Sequence, residues 1–247
     1  PKAGTGLSSH ELNKPGCYKD VKDISAIAQF QAIKEESSSF LFENAHADVY
    51  FLAWTTTPWT LPSNTALAVG KKITYLVVNT FNQYTHKPIT IVLAKPLFEK
   101  YFPTKNKDLK LEDYTSGQKA IPFQIIQEVD GSKLEGLRYH QLMDYAQPEE
   151  GDAFKILLGD FVTTEDGTGI VHTAPTFGAD DYKAAKSAKP EVPPLQVLDK
   201  NGIKVPLVDL KGKFVKKELC LYFFDMFLSS LSKAMQNHCG IITISHF

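Results

Sequence analysis

Eight short runs of β-branched and aromatic residues recur along this chain, and they leave it few ways to fold. They are DVYFLAWT (48–55), TALAVG (65–70), TYLVVNTF (74–81), PITIVLA (88–94), FQIIQEV (123–129), FKILLGDFVT (154–163), GIVHTA (169–174) and PLQVLD (194–199). Gly, Pro, Asn or Asp bounds them, and such residues turn a chain more readily than they extend it. Helical patterns are fewer. AKPLFEKYF (94–102) and GADDYKAAKSAK (178–189) read as short helices, the second with acids in its first turn and lysines toward its end, as the helix dipole favours. A third helix is expected over 215–236, where Leu219, Phe223, Met226, Phe227 and Leu231 recur at helical spacing. Many strands and few helices predict an α+β, mainly β fold, with a β-barrel or strongly curled sheet at its core and peripheral helices.

The remaining chain adds less. The first thirty residues are rich in Gly, Ser, Lys and Pro and are expected to wrap the surface, with 1–16 irregular; 214–247 is expected to finish the chain as a helix and a strand. No shift of composition divides the 247 residues, a length that one β-rich domain can occupy. The first sixteen residues have neither an initiator Met nor the apolar core of a signal peptide, as expected of a piece cut from a longer chain.

Charge and cysteine content narrow the function. A net charge of −1 excludes a generally basic surface for nucleic acid. Contact with any nucleic acid, tRNA or DNA, would have to use local lysines, either Lys211, Lys213, Lys216 and Lys217 or Lys183, Lys186 and Lys189. On charge alone the same residues read more readily as solvated helix and loop faces. Cys17, Cys220 and Cys239 form no C-x-x-C pair; they are expected to be reduced thiols of a cytoplasmic protein, with neither a disulfide framework nor a zinc site. The longest apolar run, LCLYFFDMFLSSL, is broken by Asp225 and too short to span a bilayer, so no membrane association is expected.

Two stretches concentrate groups suited to chemistry. In WTTTPWTLPSN (54–64), strand alternation sends Thr55 and Thr57 to one face and Thr56 to the other. Pro58 is expected to hold Thr57 extended and to remove a backbone donor, leaving hydroxyls directed at whatever fills the cleft. Threonines also simply favour strands, and prolines end them. In GTGIVHTAPTFGADDY (167–182), His172 sits on an apolar strand, and Asp180 and Asp181 follow at a helix start. Such a histidine can be a hydrogen-bonded core residue, and the acids can be dipole compensation; an aspartate enclosed there could instead pair with an ammonium. No phosphate-loop spacing, H-E-x-x-H or G-x-S-x-G motif is present.

Together these eleven- and sixteen-residue motifs closely resemble those of the editing domain inserted into isoleucyl-tRNA synthetases. CYKDVKD (17–23) is similar to that family's N-Y-K-D-V segment and VLDKNG (197–202) to its V-D-x-x-G segment, so the likeness runs from about residue 17 to about 217. Valyl and leucyl relatives carry arginine and an acid where this chain has Thr57-Pro58-Trp59, and FGADDY looks like the eukaryotic-type form. After 214 the sequence diverges from the family's pattern. Neither H-I-G-H nor K-M-S-K-S occurs, so this piece is not expected to bind ATP or aminoacylate.

The resemblance implies a hydrolase that removes valine from wrongly charged tRNA(Ile) and helps dispose of valyl-adenylate. Its partners would be the valylated acceptor end and the rest of the synthetase, in a monomeric enzyme whose synthetic site uses ATP and Mg. It further implies that Asp181 holds the substrate's α-ammonium, that His172 lines the side-chain pocket, that Trp59 shapes it, and that Thr56, Thr57 and Asn64 surround the amino acid and terminal ribose. Thr55 and Asp180 complete the expected site, and neither metal nor cofactor is expected in it. A positioned water would attack the ester; aspartate is too weak a base near neutral pH to matter chiefly as one. The need for such a site is physical. A missing methylene is worth only about 1–3 kcal/mol to a binding pocket, a limit for which valine against isoleucine in this family is the standard illustration. The alternatives are a non-catalytic tRNA- or small-ligand-binding barrel, and editing of valyl or leucyl type.

Overall fold

The computed structural model describes residues 24–209, 213–215 and 243–246. Its strands are β1 (Ile24–Gln31), β2 (Val49–Thr55), β3 (Ala66–Val69), β4 (Thr74–Phe81), β5 (Pro88–Ala94), β6 (Phe123–Asp130), β7 (Lys155–Leu158), β8 (Ile170–Thr173), β9 (Gln196–Leu198), β10 (Lys204–Pro206) and β11 (Thr243–His246). The helices are α1 (Phe98–Tyr101) and α2 (Ala179–Ser187), joined by short 3-10 turns, of which Pro58–Ser63 matters most.

Nine strands form one sheet in the order β6-β4-β5-β2-β8-β3-β7, with β1 between β2 and β11; β9 and β10 pair as a separate hairpin. The protein is thus mainly β, with a curled, half-barrel sheet and few helices, as expected.

The curl begins at β2. One of its edges carries β1, antiparallel from Ala26↔Thr55 to Gln31↔Tyr50. The other edge is shared: β5 runs parallel to it over Val49–Phe51, and β8 takes over at Trp54↔Val171. Where β5 ends and β8 begins, Ala94 N–H donates to Thr168 C=O at 2.8 Å, and Thr168 Oγ1 donates to Leu52 C=O. Gly169 makes the junction possible. Its φ is +73°, and a Cβ there would lie 2.3 Å from Ala94 Cβ. The buried Tyr75 hydroxyl ties the junction to the next strands, donating to Gly169 C=O at 2.7 Å and accepting from Gly70 N–H at 2.9 Å.

Alternation along the strands covers both faces of the sheet. On β4, Tyr75 and Val77 enter one cluster with Phe30, Phe51, Leu67, Tyr139 and Ile156, while Leu76 and Val78 enter another with Leu52, Ile91, Leu93 and Phe98. That double burial explains why β4 and β5 are nearly continuous apolar runs. On the second face, the Phe98 ring of α1 stacks with Phe102 at 4.8 Å and meets Phe123 edge-on at 5.1 Å. Helix α2 places Ala184, Ala185 and Ala188 against Ala66, Leu157 and Val192.

Several expectations need correction. Residues 24–30 do not wrap the surface: β1 lies beside β2 with Ala26, Ala28 and Phe30 fully buried. Its small apolar residues were masked by the Gly/Ser/Lys-rich composition that precedes them. The segment 154–163 is extended only over β7: Gly159 N–H makes the last bond to β3, at Val69 C=O, and the chain then turns as Val162 N–H closes onto Gly159 C=O at 3.2 Å. The helix expected over 94–102 is a 3-10 turn, Lys95–Leu97, followed by one turn of α1; Pro96 carries no N–H and sits near its start. Strand β10 was not anticipated. Residues 1–16, the helix over 215–236, Lys211, Lys216, Lys217 and the three cysteines lie outside the described residues. Among the described residues, no helix is long and apolar enough to cross a membrane.

Gly169→Ala tests the junction. It adds the cost of a positive φ to a close contact with Ala94, and about 1–3 kcal/mol of stability should be lost in urea unfolding. A loss below a few tenths of a kcal/mol would contradict the role given to this glycine.

Candidate functional site

The threonine segment turns immediately after β2. Thr55 is buried, and its Oγ1 accepts Thr57 N–H at 3.0 Å and lies 3.3 Å from Thr57 Oγ1. Thr55 and Thr57 therefore share a side, as alternation requires, while Thr56 and Thr57 are both exposed. Thr57 itself departs from expectation. Its φ of −123° is extended but its ψ is only 63°. Pro58 bars the helical region at Thr57 yet tolerates this intermediate value. The turned carbonyl then accepts both Thr60 N–H at 3.0 Å and Thr60 Oγ1–H at 2.9 Å, which closes the 3-10 turn Pro58–Ser63. Pro58 stands at the first position of that turn, where its missing N–H costs nothing.

Strand β8 brings the second motif alongside. β3 pairs antiparallel with it, setting Leu67 opposite His172, and Thr65 N–H donates to Thr173 C=O at 3.1 Å. His172 is 7% exposed, and both ring nitrogens are engaged. Asn64 Nδ2 donates to Ala66 C=O at 2.7 Å and to His172 Nδ1 at 3.0 Å; Asn64 Oδ1 accepts the Tyr139 hydroxyl at 2.7 Å. A carbonyl oxygen facing Ala66 C=O would repel it, so the amide nitrogen must point there, and His172 Nδ1 must be an acceptor. The ring hydrogen is then on Nε2, which donates to Thr60 Oγ1 at 2.9 Å. Burial holds the His172 pKa down at about 4. The imidazole is neutral at physiological pH and has no lone pair left for a substrate.

The acidic helix start behaves differently. Asp181 folds back from the first turn of α2, and its Oδ2 accepts Ala174 N–H at 2.8 Å. Gly178 leaves the space for this: a Cβ there would lie 2.7 Å from Asp181 Cγ. Burial raises the Asp181 pKa, the Ala174 N–H opposes that only in part, and neighbouring Asp180 adds to the rise. Asp180 itself is solvated and pairs with Lys183 at 3.5 Å, an exposed contact of little energetic weight.

The two motifs meet through aromatic rings, Trp59 against Phe177 edge-to-face at 5.4 Å. Around this meeting point the protein leaves hydroxyls unsatisfied. Ser63, Thr65, Thr173 and Thr176 have buried side-chain oxygens without a hydrogen-bond partner among the described residues; Thr65 directly follows the first motif and the other three lie within the two motifs. Unpaired buried hydroxyls are costly, and their concentration here marks a place suited to a polar ligand or ordered water.

Of the residues singled out in the sequence, Thr55, Thr57, Asn64 and His172 join one network; Trp59 joins the motifs, and Asp181 secures the loop after β8. Thr56 is exposed beside them, and Asp180 faces solvent. Two residues of the network escaped sequence reasoning. Thr60 lies inside the quoted motif but outside its threonine run. Tyr139, in LRYHQL, has no local feature to betray it. Among the described residues, no group of three His, Cys, Asp or Glu is placed to hold a metal ion.

No protein-family model matches the chain. Over 214 residues, 87% of its length, it is 56% identical to an isoleucine–tRNA ligase of Bacteroides fragilis. Identity to the isoleucine–tRNA ligase of Cytophaga hutchinsonii is 57% over 217 residues, 88% of the chain, and to that of Porphyromonas gingivalis 51% over 238 residues, 92% of the chain. The chain belongs to the isoleucine–tRNA ligase family. It spans about a fifth of the length of these curated relatives, covering 18%, 19% and 20% of them, and so corresponds to an internal portion of an isoleucine–tRNA ligase. These relatives are bacterial, although FGADDY resembles the eukaryotic-type form. Among solved structures, the crystal structure of GlLeuRS-CP1 is 20% identical with a TM-score of 0.46, covering 66% of this chain and 59% of that one. The P. knowlesi cytosolic leucyl-tRNA synthetase editing domain is 16% identical with a TM-score of 0.46, covering 67% and 62%.

The buried imidazole makes the stability of this isoleucine–tRNA ligase segment pH-dependent. His172 titrates at about 4 when folded and near its ordinary 6.5 when unfolded. As pH falls from 6.5 to 4 the unfolded chain gains a proton that the folded chain refuses, so stability falls, by up to about 3 kcal/mol. Asp181 acts with the opposite sign just above the ordinary carboxylate range, because its folded pKa is raised. Denaturant titrations between pH 4 and 7 should show the loss in wild type and a flatter profile in His172→Gln. Parallel profiles would remove His172 as the cause.

Proposed function

We propose that this chain is a hydrolytic editing domain that removes valine from mischarged tRNA(Ile), and valine from valyl-adenylate. The observation that carries this reading is Asp181, a partly desolvated carboxylate with a raised pKa whose one hydrogen bond among the described residues comes from Ala174 N–H just after β8, in the same motif whose Phe177 meets Trp59. Among the described residues no cation pairs with it, and the α-ammonium of an aminoacyl ester supplies one. Ester hydrolysis suits the rest. An activated ester needs a positioned water and donors for the developing oxyanion more than it needs a covalent nucleophile. Thr56 and Thr57 present exposed hydroxyls for those tasks, with Thr55 behind them. His172 supplies a neutral ring edge and Trp59 bulk, which together limit the size of the side chain admitted.

In this reading the reaction requires no metal or cofactor within the domain. The parent enzyme, a monomeric cytoplasmic isoleucine–tRNA ligase using ATP and Mg at its synthetic site, delivers the tRNA acceptor end. Lys183, Lys186 and Lys189 on and just after α2 are the described lysines nearest in sequence to the Asp181 turn; Lys183 and Lys186 would exchange their exposed pairs with Asp180 and Glu191 for phosphate to guide it.

Deacylation of valyl-tRNA(Ile), with isoleucyl-tRNA(Ile) as competitor, tests the reading; valyl ester should be hydrolysed and isoleucyl ester spared. Asp181→Asn should cost about 10–100-fold in kcat/KM, the weight of one charged hydrogen bond. Binding of a non-hydrolysable valyl-adenosine analogue should lower the Asp181 pKa, read by carboxyl 13C shifts. Analogue binding without turnover would favour the non-catalytic barrel, and a preference for threonyl ester the valyl-type alternative.

A further inference from the structure

The residues already assigned to the site are all supplied by its two motifs, yet their hydrogen-bond network starts elsewhere. It begins at Tyr139, which is 1% exposed and donates to Asn64 Oδ1. Asn64 donates to His172 Nδ1, His172 Nε2–H donates to Thr60 Oγ1, and Thr60 donates to Thr57 C=O. Every hydrogen in this chain of four bonds points the same way, from the core toward the threonine turn. The last acceptor is the carbonyl whose direction sets the unusual ψ of Thr57 and brings its hydroxyl to that of Thr55.

Tyr139 is fixed far more firmly than a phenol needing one partner requires. Its ring meets Phe30 edge-on at 5.2 Å and Phe154 at 6.2 Å. Its backbone bridges Ala32 at the end of β1, and its N–H donates to Phe154 C=O at 3.1 Å. Phe154 has a φ of +61°, a conformation that a bulky non-glycine residue holds only where its surroundings impose it. There its own N–H reaches Thr65 C=O at 2.7 Å, next to Asn64. The strained backbone thus couples Tyr139 to the same turn that its hydroxyl controls.

We propose that Tyr139 is a positioning residue of the site: through Asn64 it sets the tautomer of His172, and through Thr60 the orientation of the Thr57 carbonyl and the Thr55–Thr57 hydroxyl pair. Removing the phenol oxygen leaves Asn64 Oδ1 a buried acceptor without a donor. Ala66 C=O still holds Nδ2, so the amide tilts rather than turns over; its grip on His172 Nδ1 loosens, and the ordered direction of the relay is lost. Asp181 is outside the relay, so recognition of an ammonium is untouched. The rate arm of the test rests on the editing reading; the spectroscopic arm does not.

The test is Tyr139→Phe, which keeps the ring contacts and removes only the hydroxyl, with Tyr75→Phe as control for losing an equally buried phenol that serves the β5–β8 junction. Imidazole 15N spectra of wild-type chain should show His172 in the Nε2–H form alone. Tyr139→Phe should bring in the Nδ1–H form and lower kcat for valyl-tRNA(Ile) about tenfold at unchanged KM, while Tyr75→Phe leaves both at wild-type values. Thr60→Val breaks the relay at its other end without disturbing Tyr139, and should lower kcat likewise, with Thr60→Ser restoring it; this pair decides the matter if Tyr139→Phe does not fold. A wild-type spectrum and kcat in Tyr139→Phe, or equal changes in Tyr75→Phe, overturns the proposal. A changed spectrum in a chain whose wild type hydrolyses nothing would uphold the relay and remove the editing reading.

Discussion

A strand has two edges, and β2 serves three partners. Its second edge is divided between the end of β5 and the start of β8, and that division governs both the shape of the sheet and the position of the site. Two strands can succeed one another along an edge only if the chain ends meet closely and diverge sharply. Ala94 and Thr168 supply the meeting, and Gly169 the divergence, with no Cβ in the way and a backbone that only glycine adopts cheaply. The sheet must then curl, since β5 leads away to β4 and β6 while β8 leads to β3 and β7. The same fork puts the end of β8 beside the end of β2. His172 and the threonine turn, more than a hundred residues apart, become neighbours because of it.

Within that neighbourhood, desolvation acts on two ionisable groups in opposite senses. Both are moved toward neutrality, but only one is otherwise satisfied. His172 spends both nitrogens inside the protein, so its neutral form is secure. Asp181 has one backbone donor against the penalty of burial and remains in want of a cation. The unpartnered hydroxyls of Ser63, Thr65, Thr173 and Thr176 belong to the same pattern. Among the described residues, the buried side-chain atoms left without a partner all lie in or directly beside the two motifs.

Part of this arrangement is legible in the amino-acid sequence. Alternation places Thr55 and Thr57 together, the acid-to-lysine gradient locates α2 to within two residues, and Pro58 marks the turn. These are local rules, each acting over a few residues. The features that escape them are of longer range. β1 is hidden because its alternating small residues acquire meaning only against Phe51 and Ala53 on β2. Tyr139 carries no motif, and its importance depends on Phe30, Phe154 and Asn64 converging on it from three places in the sequence. The ψ of Thr57 escapes for a different reason: Pro58 narrows the choice, but the two donors of Thr60 make it.

By itself, then, the sequence determined the strands from β2 to β9 though neither β1 nor β10, where the hydroxyl-rich strand must turn, and that an aspartate would open a helix near a buried histidine. Backbone sterics, side-chain period and the helix dipole are enough for that. Tertiary structure alone decided that β2 would share an edge, that His172 would be neutral with its hydrogen on Nε2, and that Asp181 would be left undercompensated. Each of those outcomes depends on desolvation and on partners distant in sequence, and such quantities do not exist until the chain has closed around them.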